Sequence, residues 1–331
     1  MTEPGPARVV EGERAGWRAL TLDSGDLRVT VIPDKGAEIV ELIDARTGID
    51  VLFNAPWGLQ PAGSPPREGS GGHAFLENYG GGWQELFPSA GDPCTYRGRL
   101  IPFHGEVASL PWDYEPLGGA AVRLTVDCRR TPFRLERVMS LPDGERTLRL
   151  EETAVNESAD PAHLVWGHHC VVGPPFLGQG CRLNTPAGTI ETIPEMWEET
   201  ARLEPGQRSR WPEARLRGGG VTDLSTVPGP EAGSHDDVYL TDLAEGWVEV
   251  ESPATGLAFR LDFDAALFRW LISWQPYGGA EAMPLAGSYA LGIEPWVSRL
   301  DLRRAVEAGE ALQLAAGGSV RTTLTATIRD L

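Results

Sequence analysis

A glutamate at the end of an apolar stretch is the first candidate for chemistry in this sequence. Residues 292–298 read GIEPWVS, so Glu294 is followed at once by Pro295 and Trp296. Proline biases the residue before it toward an extended backbone, so we expect Glu294 at the end of a strand, beside a cleft. A carboxylate in such a place can act as a base, or it can form a structural ion pair with an arginine such as Arg299.

Histidine supplies the second group of candidates. Of the six histidines, His104 lies in IPFHGEV, His168 and His169 lie in VWGHHCVV, and His235 lies in SHDDVYL. Neighbouring residues of a strand point to opposite faces, so only one of His168 and His169 can face a cleft together with His104, and the local alternation does not choose between them. The same geometry disfavours one metal ion shared by both, and no H-E-x-x-H or C-x-x-C spacing occurs, so we expect no metal.

Short alternating segments predict the elements that must position these residues. Apolar and polar residues alternate with the period of a strand, between turn residues, in segments 26–33, 37–44, 120–128, 133–141, 146–156, 163–172, 247–252, 256–263, 267–274 and 319–328. Because no linker separates them, they predict an all-β protein, a large antiparallel β-sandwich that forms a single domain over residues 1–331. Segments 57–75 and 215–237 are rich in Gly, Pro and Ser and are expected to be disordered or functional lids. Segment 194–203 is the only helix-like piece.

Composition limits the possible partners. The chain of 331 residues carries 47 acidic and 29 basic side chains, a formal charge of −18, which disfavours nucleic acids and anionic membranes. It lacks a run of the ~20 apolar residues that a membrane helix needs, and it lacks a signal-peptide pattern, so we expect a cytoplasmic protein, monomeric or homodimeric. The four cysteines are expected to be reduced and mostly buried. Lys35 is the only lysine, and its turn-like surroundings do not favour Schiff-base chemistry.

Five motifs, in order, resemble the aldose 1-epimerase, or galactose mutarotase-like, family. They are GGGWQELFPSAG, HGEVASLPW, WGHHCVVGPPFL, WLISWQPYGG and LGIEPW, and the resemblance extends from about residue 20 to 327. It implies the large antiparallel β-sandwich of that family and an isomerase that acts on a small carbohydrate without cofactor. It also implies that His169 is the acid histidine, Glu294 the catalytic glutamate and His104 the earlier histidine, and that Asp236 contacts the sugar, with Asp237 as an alternative.

Anomer interconversion explains why such residues would be needed. The C1 hydroxyl must lose a proton while the ring oxygen gains one, so a base, here Glu294, and an acid, here His169, must act together. His104 would hold the ring-opened form by a hydrogen bond. Further side chains are expected to line the cleft and bind the sugar, with the tryptophans as stacking candidates: Trp83, Gln84, Glu85, His168, Trp274, Gln275 and Trp296.

The identity of the sugar stays open. In the hexose-phosphate branch of the family an arginine closely follows the H-G pair, whereas this chain has Ala108 and Ser109 there. Arg67, Arg97 or Arg99 could still supply a cation for a phosphorylated substrate.

Two alternative functions also stay open at this point. One is a carbohydrate-binding protein without catalytic activity, because a fold does not dictate a function. The other is a glycoside hydrolase or lyase, which would need a second catalytic carboxylate, for which Glu85, Glu106 and Asp236 are candidates.

Overall fold

Strands make up nearly all the regular structure of the chain, for which a computed structural model describes residues 7–65, 67, 73–195 and 197–331. The strands are, in chain order, β1 (Arg8–Arg14), β2 (Trp17–Asp23), β3 (Leu27–Ile32), β4 (Glu38–Asp44), β5 (Trp83–Leu86), β6 (Cys94–Tyr96), β7 (Arg99–Ile101), β8 (Asp113–Pro116), β9 (Ala121–Asp127), β10 (Phe133–Ser140), β11 (Thr147–Asn156), β12 (Ala162–Leu164), β13 (Gly167–Val172), β14 (Arg182–Asn184), β15 (Thr189–Thr192), β16 (Arg208–Arg210), β17 (Glu213–Arg215), β18 (Val221–Asp223), β19 (Ser234–Thr241), β20 (Trp247–Ser252), β21 (Leu257–Asp262), β22 (Trp270–Tyr277), β23 (Leu291–Gly292), β24 (Glu294–Trp296), β25 (Leu312–Leu314) and β26 (Ser319–Asp330). Two short helices, α1 (Ala74–Asn78) and α2 (Leu302–Ala308), and two 3₁₀ turns, Val107–Ser109 and Pro230–Ala232, are the described helical elements.

Two large antiparallel sheets pack into a sandwich. The larger has the strand order β1-β2-β3-β4-β5-β13-β24-β22-β19-β15-β16, with β23 paired to β13, and the smaller has the order β14-β20-β21-β26-β11-β10-β9-β8. Three two-stranded sheets, β12-β25, β17-β18 and β6-β7, lie outside them. The prediction of an all-β protein with a large antiparallel sandwich is confirmed.

On the smaller sheet, the alternation of apolar and polar residues in the sequence matches an alternation of buried and partly exposed side chains. In β10, FRLERVMS, every second residue is buried, and the buried set includes Phe133, Leu135 and Met139. Strand β13, GHHCVV, is buried along its whole length, because both of its faces are covered. All ten predicted segments contain strands of the structure, whereas many other strands, among them β1, β2 and β19, lie outside these segments.

The prediction of a helix-like segment at residues 194–203 is wrong. Its described residues form turns and irregular structure, because their polar groups bond to other parts of the chain instead of to a helix. Thr200 donates to the carbonyl of Gly279, and Glu198 accepts from His235. The predicted loop 215–237 contains β18, a 3₁₀ turn and the start of β19, and the predicted loop 57–75 runs into α1, with residues 66 and 68–72 outside the described part.

The four cysteines are free thiols, as expected. Cys94, Cys170 and Cys181 are buried, and Cys128 is half-buried. No helix in the described part of the chain has the length and apolar composition needed to cross a membrane.

Candidate active site

Apart from His104, the candidate residues belong to five neighbouring strands in the middle of the larger sheet, β5, β13, β24, β22 and β19. Residues directly opposite each other on antiparallel strands share a face, and the next residue along each strand points to the other face. The register pairs Gln84 with His169 and Trp274 with Asp237, and His169 contacts both Trp274 and Glu294. One face, here named the cleft face, therefore carries Gln84, His169, Glu294, Trp274 and Asp237.

His169 is the central residue of the cleft face. Its Nδ1 lies 3.1 Å from Oε1 of Gln84, and its Nε2 lies 3.7 Å from Oε1 of Glu294. The residue is 7% exposed, and burial lowers the pKa of its imidazole to about 3. His169 is therefore neutral at physiological pH.

Glu294 begins β24 and is 2% exposed. Burial, followed by the nearby Asp237 carboxyl, raises the pKa of Glu294 well above its ordinary value. Gly292 makes room for this carboxyl, because a Cβ at that position would overlap Oε1 of Glu294 and lie 2.9 Å from Cβ of Trp274. The partner of Arg299 is Glu310, with Glu191 also close by, so Arg299 is not held by Glu294.

His104 approaches the same place from a turn. Its backbone is left-handed, with φ of 60°, and its Nδ1 accepts a hydrogen bond of 3.2 Å from the backbone N–H of Gly91. The neutral ring therefore carries its proton on Nε2. Burial, followed by His169 and His73, lowers the pKa of His104 well below its ordinary value. The His104 ring lies 5.7 Å from the ring of His169 and 5.8 Å from that of Trp296.

Helix α1 covers the two histidines. The ring of Phe75 lies 4.7 Å from His104 and 5.4 Å from His169. Tyr79, at the end of the helix, lies 5.4 Å from His169 and 6.4 Å from Trp274. The hydroxyl of Tyr79 is buried and has no hydrogen-bond partner in the described structure. The site is therefore closed by aromatic side chains that the sequence analysis did not identify, since a five-residue helix shows no periodic pattern.

The neighbouring aspartates of β19 have different environments. Asp236 accepts hydrogen bonds from the backbone N–H groups of Arg202 and Leu203 and from the Arg202 guanidinium, on the face opposite the cleft. Asp237 shares the cleft face, and its buried Oδ1 has no partner among the described residues. Burial, followed by the Asp236 charge, raises the pKa of Asp237 to about 7. Placing Asp236 in the cleft was wrong, and its alternative Asp237 lies there.

His168, Trp83 and Glu85 were also expected in the cleft, but they point into the sandwich. Each of them is next in the chain to a cleft-face residue, either Gln84 or His169. Because successive side chains of a strand point to opposite faces, these three point away from the cleft. His168 accepts a hydrogen bond of 3.3 Å from the Trp83 indole, and its Nε2 lies 3.2 Å from Glu152. Arg137, from the smaller sheet, bonds to both Glu85 and Glu152.

The same cluster has the residue types of a metal site. One ligand atom each from Glu85, Glu152 and His168 lie within 4.8 Å of one another, which would suit a metal ion. The Arg137 guanidinium already binds both carboxylates, so a cation is in place and the cluster is a buried ion-pair network.

Gln275 was also expected to line the cleft, and this prediction was wrong. It lies opposite Asp236 and donates to Ser273, on the face away from the cleft. It lines a separate depression together with Arg202 and Tyr277.

Trp274 and Trp296 do lie on the cleft face. The indole of Trp274 donates 2.7 Å to Nε2 of His235, whose Nδ1 lies 2.6 Å from Glu198. Trp296 packs on Gly167, where a Cβ would lie only 2.8 Å from its Cδ1. Stacking of either ring on a sugar stays a prediction.

Comparison with protein families gives one match over most of the chain. Residues 14–328 match the family described as "Domain of unknown function (DUF4432)". A search of curated proteins found no match.

Solved structures with the same fold come from several bacteria. The Slr1438 protein from Synechocystis sp. PCC 6803 is 17% identical, with a TM-score of 0.66 over 100% of this chain and 99% of that chain. A galactose mutarotase-like protein from Clostridium acetobutylicum is 15% identical, with a TM-score of 0.64 over 98% and 99%. A galactose mutarotase related enzyme from Lactobacillus acidophilus is 16% identical, with a TM-score of 0.64 over 98% and 98%. The fold is therefore that of the galactose mutarotase-like sandwich, as the resemblance implied.

Proposed function

We propose that this chain, which belongs to the family described as "Domain of unknown function (DUF4432)", binds a sugar on the cleft face and interconverts its anomers by acid–base ring opening. One observation carries the proposal: Nε2 of His169 and Oε1 of Glu294 lie 3.7 Å apart, both buried, on one face of the sheet. Ring opening needs one acid and one base at atoms that are both bonded to C1 of the sugar, so two adjacent groups suffice.

The reaction requires one proton on the pair of Glu294 and His169. Burial raises the pKa of Glu294 and lowers that of His169, so a proton shared by the pair favours Glu294 over His169. This is the reverse of the expected assignment, so Glu294 starts as the acid and His169 as the base. Nε2 of His169 then takes the C1 hydroxyl proton, and Glu294 gives its proton to the ring oxygen as the bond from that oxygen to C1 breaks.

Ring closure restores both groups. After rotation about the C1–C2 bond, the hydroxyl attacks the other face of the aldehyde and returns its proton to Glu294. The imidazolium of His169 gives its proton to the carbonyl oxygen, which becomes the C1 hydroxyl of the second anomer. His104, whose Nε2 carries a proton, is the donor that can stabilise the open-chain form.

Two polar groups that have no partner among the described residues are suited to hold sugar hydroxyls. These are the Oδ1 of Asp237 and the hydroxyl of Tyr79, both buried beside Glu294, whose carboxylate influences the pKa of Tyr79. A buried polar group without a partner costs free energy, which a ligand hydroxyl would recover. Because Phe75 covers both His104 and His169, the sugar must displace this side chain to enter.

The three carboxyls that were candidates for the second catalytic carboxylate of a glycoside hydrolase are all bound to other groups. Glu85 bonds to Arg137, and Asp236 bonds to Arg202. Glu106 accepts from Thr131 and from two backbone N–H groups. None of the three is available as a second catalytic carboxylate next to Glu294.

The test begins with a ligand. A thermal-shift screen with aldohexoses, pentoses, their phosphates and uronates identifies a bound sugar, because a ligand of the native state raises its apparent stability. Anomer exchange of that sugar is then measured by NMR. Glu294→Gln keeps the size of the side chain but removes proton transfer, so the rate should fall by ~10²-fold or more.

Glu145→Gln, at an exposed position, is the matched control and should keep the full rate. A full rate in Glu294→Gln would overturn the catalytic role of this residue. A bound sugar with no exchange in the unmodified protein would favour a carbohydrate-binding protein without activity.

A further inference from the structure

A chain of buried side chains lies behind His169. The strand register places Ile39 opposite Trp83 and Gln84 opposite His169, so Glu38 comes next to Gln84. The carboxyl Oε1 of Glu38 accepts a hydrogen bond of 2.8 Å from Nε2 of Gln84. Lys35, in the turn between β3 and β4, forms an ion pair with the other oxygen of Glu38. All three side chains are at least nine-tenths buried.

The orientation of the Gln84 amide is fixed by its neighbours. Its Nε2 donates to Glu38 and also to the backbone carbonyl of Gly81, at 2.5 Å. The backbone carbonyl of Gly81 can only accept, so the amide nitrogen must face it and the neighbouring Glu38 carboxyl. The amide oxygen therefore faces Nδ1 of His169.

This orientation selects one tautomer of His169. The Gln84 oxygen can only accept, so Nδ1 of His169 must carry the proton. The unprotonated Nε2 then faces Glu294, where the proposed reaction needs a base. His104 is held in the other tautomer, since its Nδ1 accepts from Gly91.

We propose that Lys35, Glu38 and Gln84 form a relay of positioning residues, which holds His169 as the Nδ1–H tautomer and stabilises its imidazolium when Nε2 takes a proton. The tautomer part depends only on the geometry, whereas the imidazolium part rests on the proposed function. A carboxylate that acts on an imidazole through one amide resembles in logic the direct carboxylate–histidine pair of hydrolytic triads. Lys35 balances the charge of Glu38, which would otherwise be buried alone.

The tautomer can be measured without a substrate. In protein labelled with ¹⁵N-histidine, the shifts of the two ring nitrogens show which one carries the proton, and loss of a signal in His169→Gln assigns this ring. We expect a protonated Nδ1 and an unprotonated Nε2 at neutral pH. In Gln84→Met, which keeps the length of the side chain but removes the acceptor, the Nε2–H tautomer should become substantially populated.

Gln275→Met is the matched control, because Gln275 is an equally buried glutamine on the opposite face of the same sheet. It should leave the His169 tautomer unchanged. A wild-type ring protonated at Nε2, or an unchanged Nδ1–H ring in folded Gln84→Met, would overturn the relay. If Gln84→Met does not fold, the wild-type measurement and Glu38→Gln still decide.

Glu38→Gln separates charge from orientation. A glutamine can still accept from Gln84, so the tautomer should persist, but the charge that supports the imidazolium is lost. On a sugar with a measurable rate, kcat should fall by ~10-fold with little change in KM. An unchanged kcat would overturn the imidazolium role. Absence of activity in the wild type would contradict the proposed function and leave the tautomer result standing.

Discussion

Asp236 and Asp237 are adjacent residues for which the structure predicts opposite effects of the same substitution. Burial makes the ionised form of Asp237 unfavourable, so Asp237→Asn should stabilise the protein by roughly 1–3 kcal/mol at pH 8. Asp236→Asn keeps one oxygen for the two backbone N–H groups, but it replaces the oxygen that accepts from the Arg202 guanidinium with an NH₂ donor and removes the charge, so it should destabilise by about 1–3 kcal/mol. Denaturant unfolding of both variants measures the two effects.

The Asp237 effect has a defined pH dependence. Its folded pKa of about 7 lies above the ordinary value of 3.8, so the folded chain binds this proton more tightly than the unfolded chain does. Its contribution to stability is complete below about pH 4 and is lost as the pH rises to about 7. The advantage of Asp237→Asn should therefore vanish at pH 4, and an equal advantage at pH 4 and pH 8 would contradict this account.

The sequence could identify site residues by type but could not choose between neighbours. Four of the predicted residues lie at the site, namely Glu294, His104, His169 and Gln84. At His168 and His169 the surrounding residues are buried on both faces of β13, so no alternation existed to distinguish the faces. Only the strand register does so, because it depends on residues that are distant in sequence.

Helix α1 is the element that closes the site, and its Phe75 provides a test of burial. Phe75→Ala should admit water to His104 and His169, so the pKa of each should rise toward its ordinary value. A pH titration of the ring signals by NMR measures both values. His163, a half-buried histidine that contacts Tyr96, is an internal control whose pKa should not change. Unchanged values at all three would show that α1 does not cause the burial.

Strands were easier to predict than the segments that cover them. A strand with one buried face must alternate, as β10 does, so the pattern is visible in sequence. Segment 194–203 has no such constraint, since its conformation is set by bonds of Glu198 and Thr200 to distant residues. The same holds for α1, whose position over the histidines is determined by tertiary packing alone.

The whole sandwich is joined at its centre by the buried Arg137 network. Arg137 is 1% exposed and links Glu85 of the larger sheet to Glu152 of the smaller one. Arg137→Met should leave the buried carboxylates of Glu85 and Glu152 without the arginine cation between them and cost about 3–5 kcal/mol. Because the network spans both sheets, we expect one cooperative transition at a lower denaturant concentration, with the same midpoint by circular dichroism and by tryptophan fluorescence.

Arg149→Met is the control at the molecular scale. Arg149 lies on the same sheet but is half exposed and pairs with Glu151 at the surface, so its loss should cost at most about 1 kcal/mol. Two separate transitions in either variant would contradict the expected single domain.

The buried turn that holds Lys35 allows local opening of the protein to be measured by chemical labelling. The chain has no other lysine, and this one is 7% exposed and paired with Glu38. An amine-directed acylating reagent can therefore reach a lysine side chain only when the corner between β3 and β4 opens. The rate of mass gain on the peptide that contains Lys35 gives the frequency of that opening, at the position that supports His169, without any engineered label.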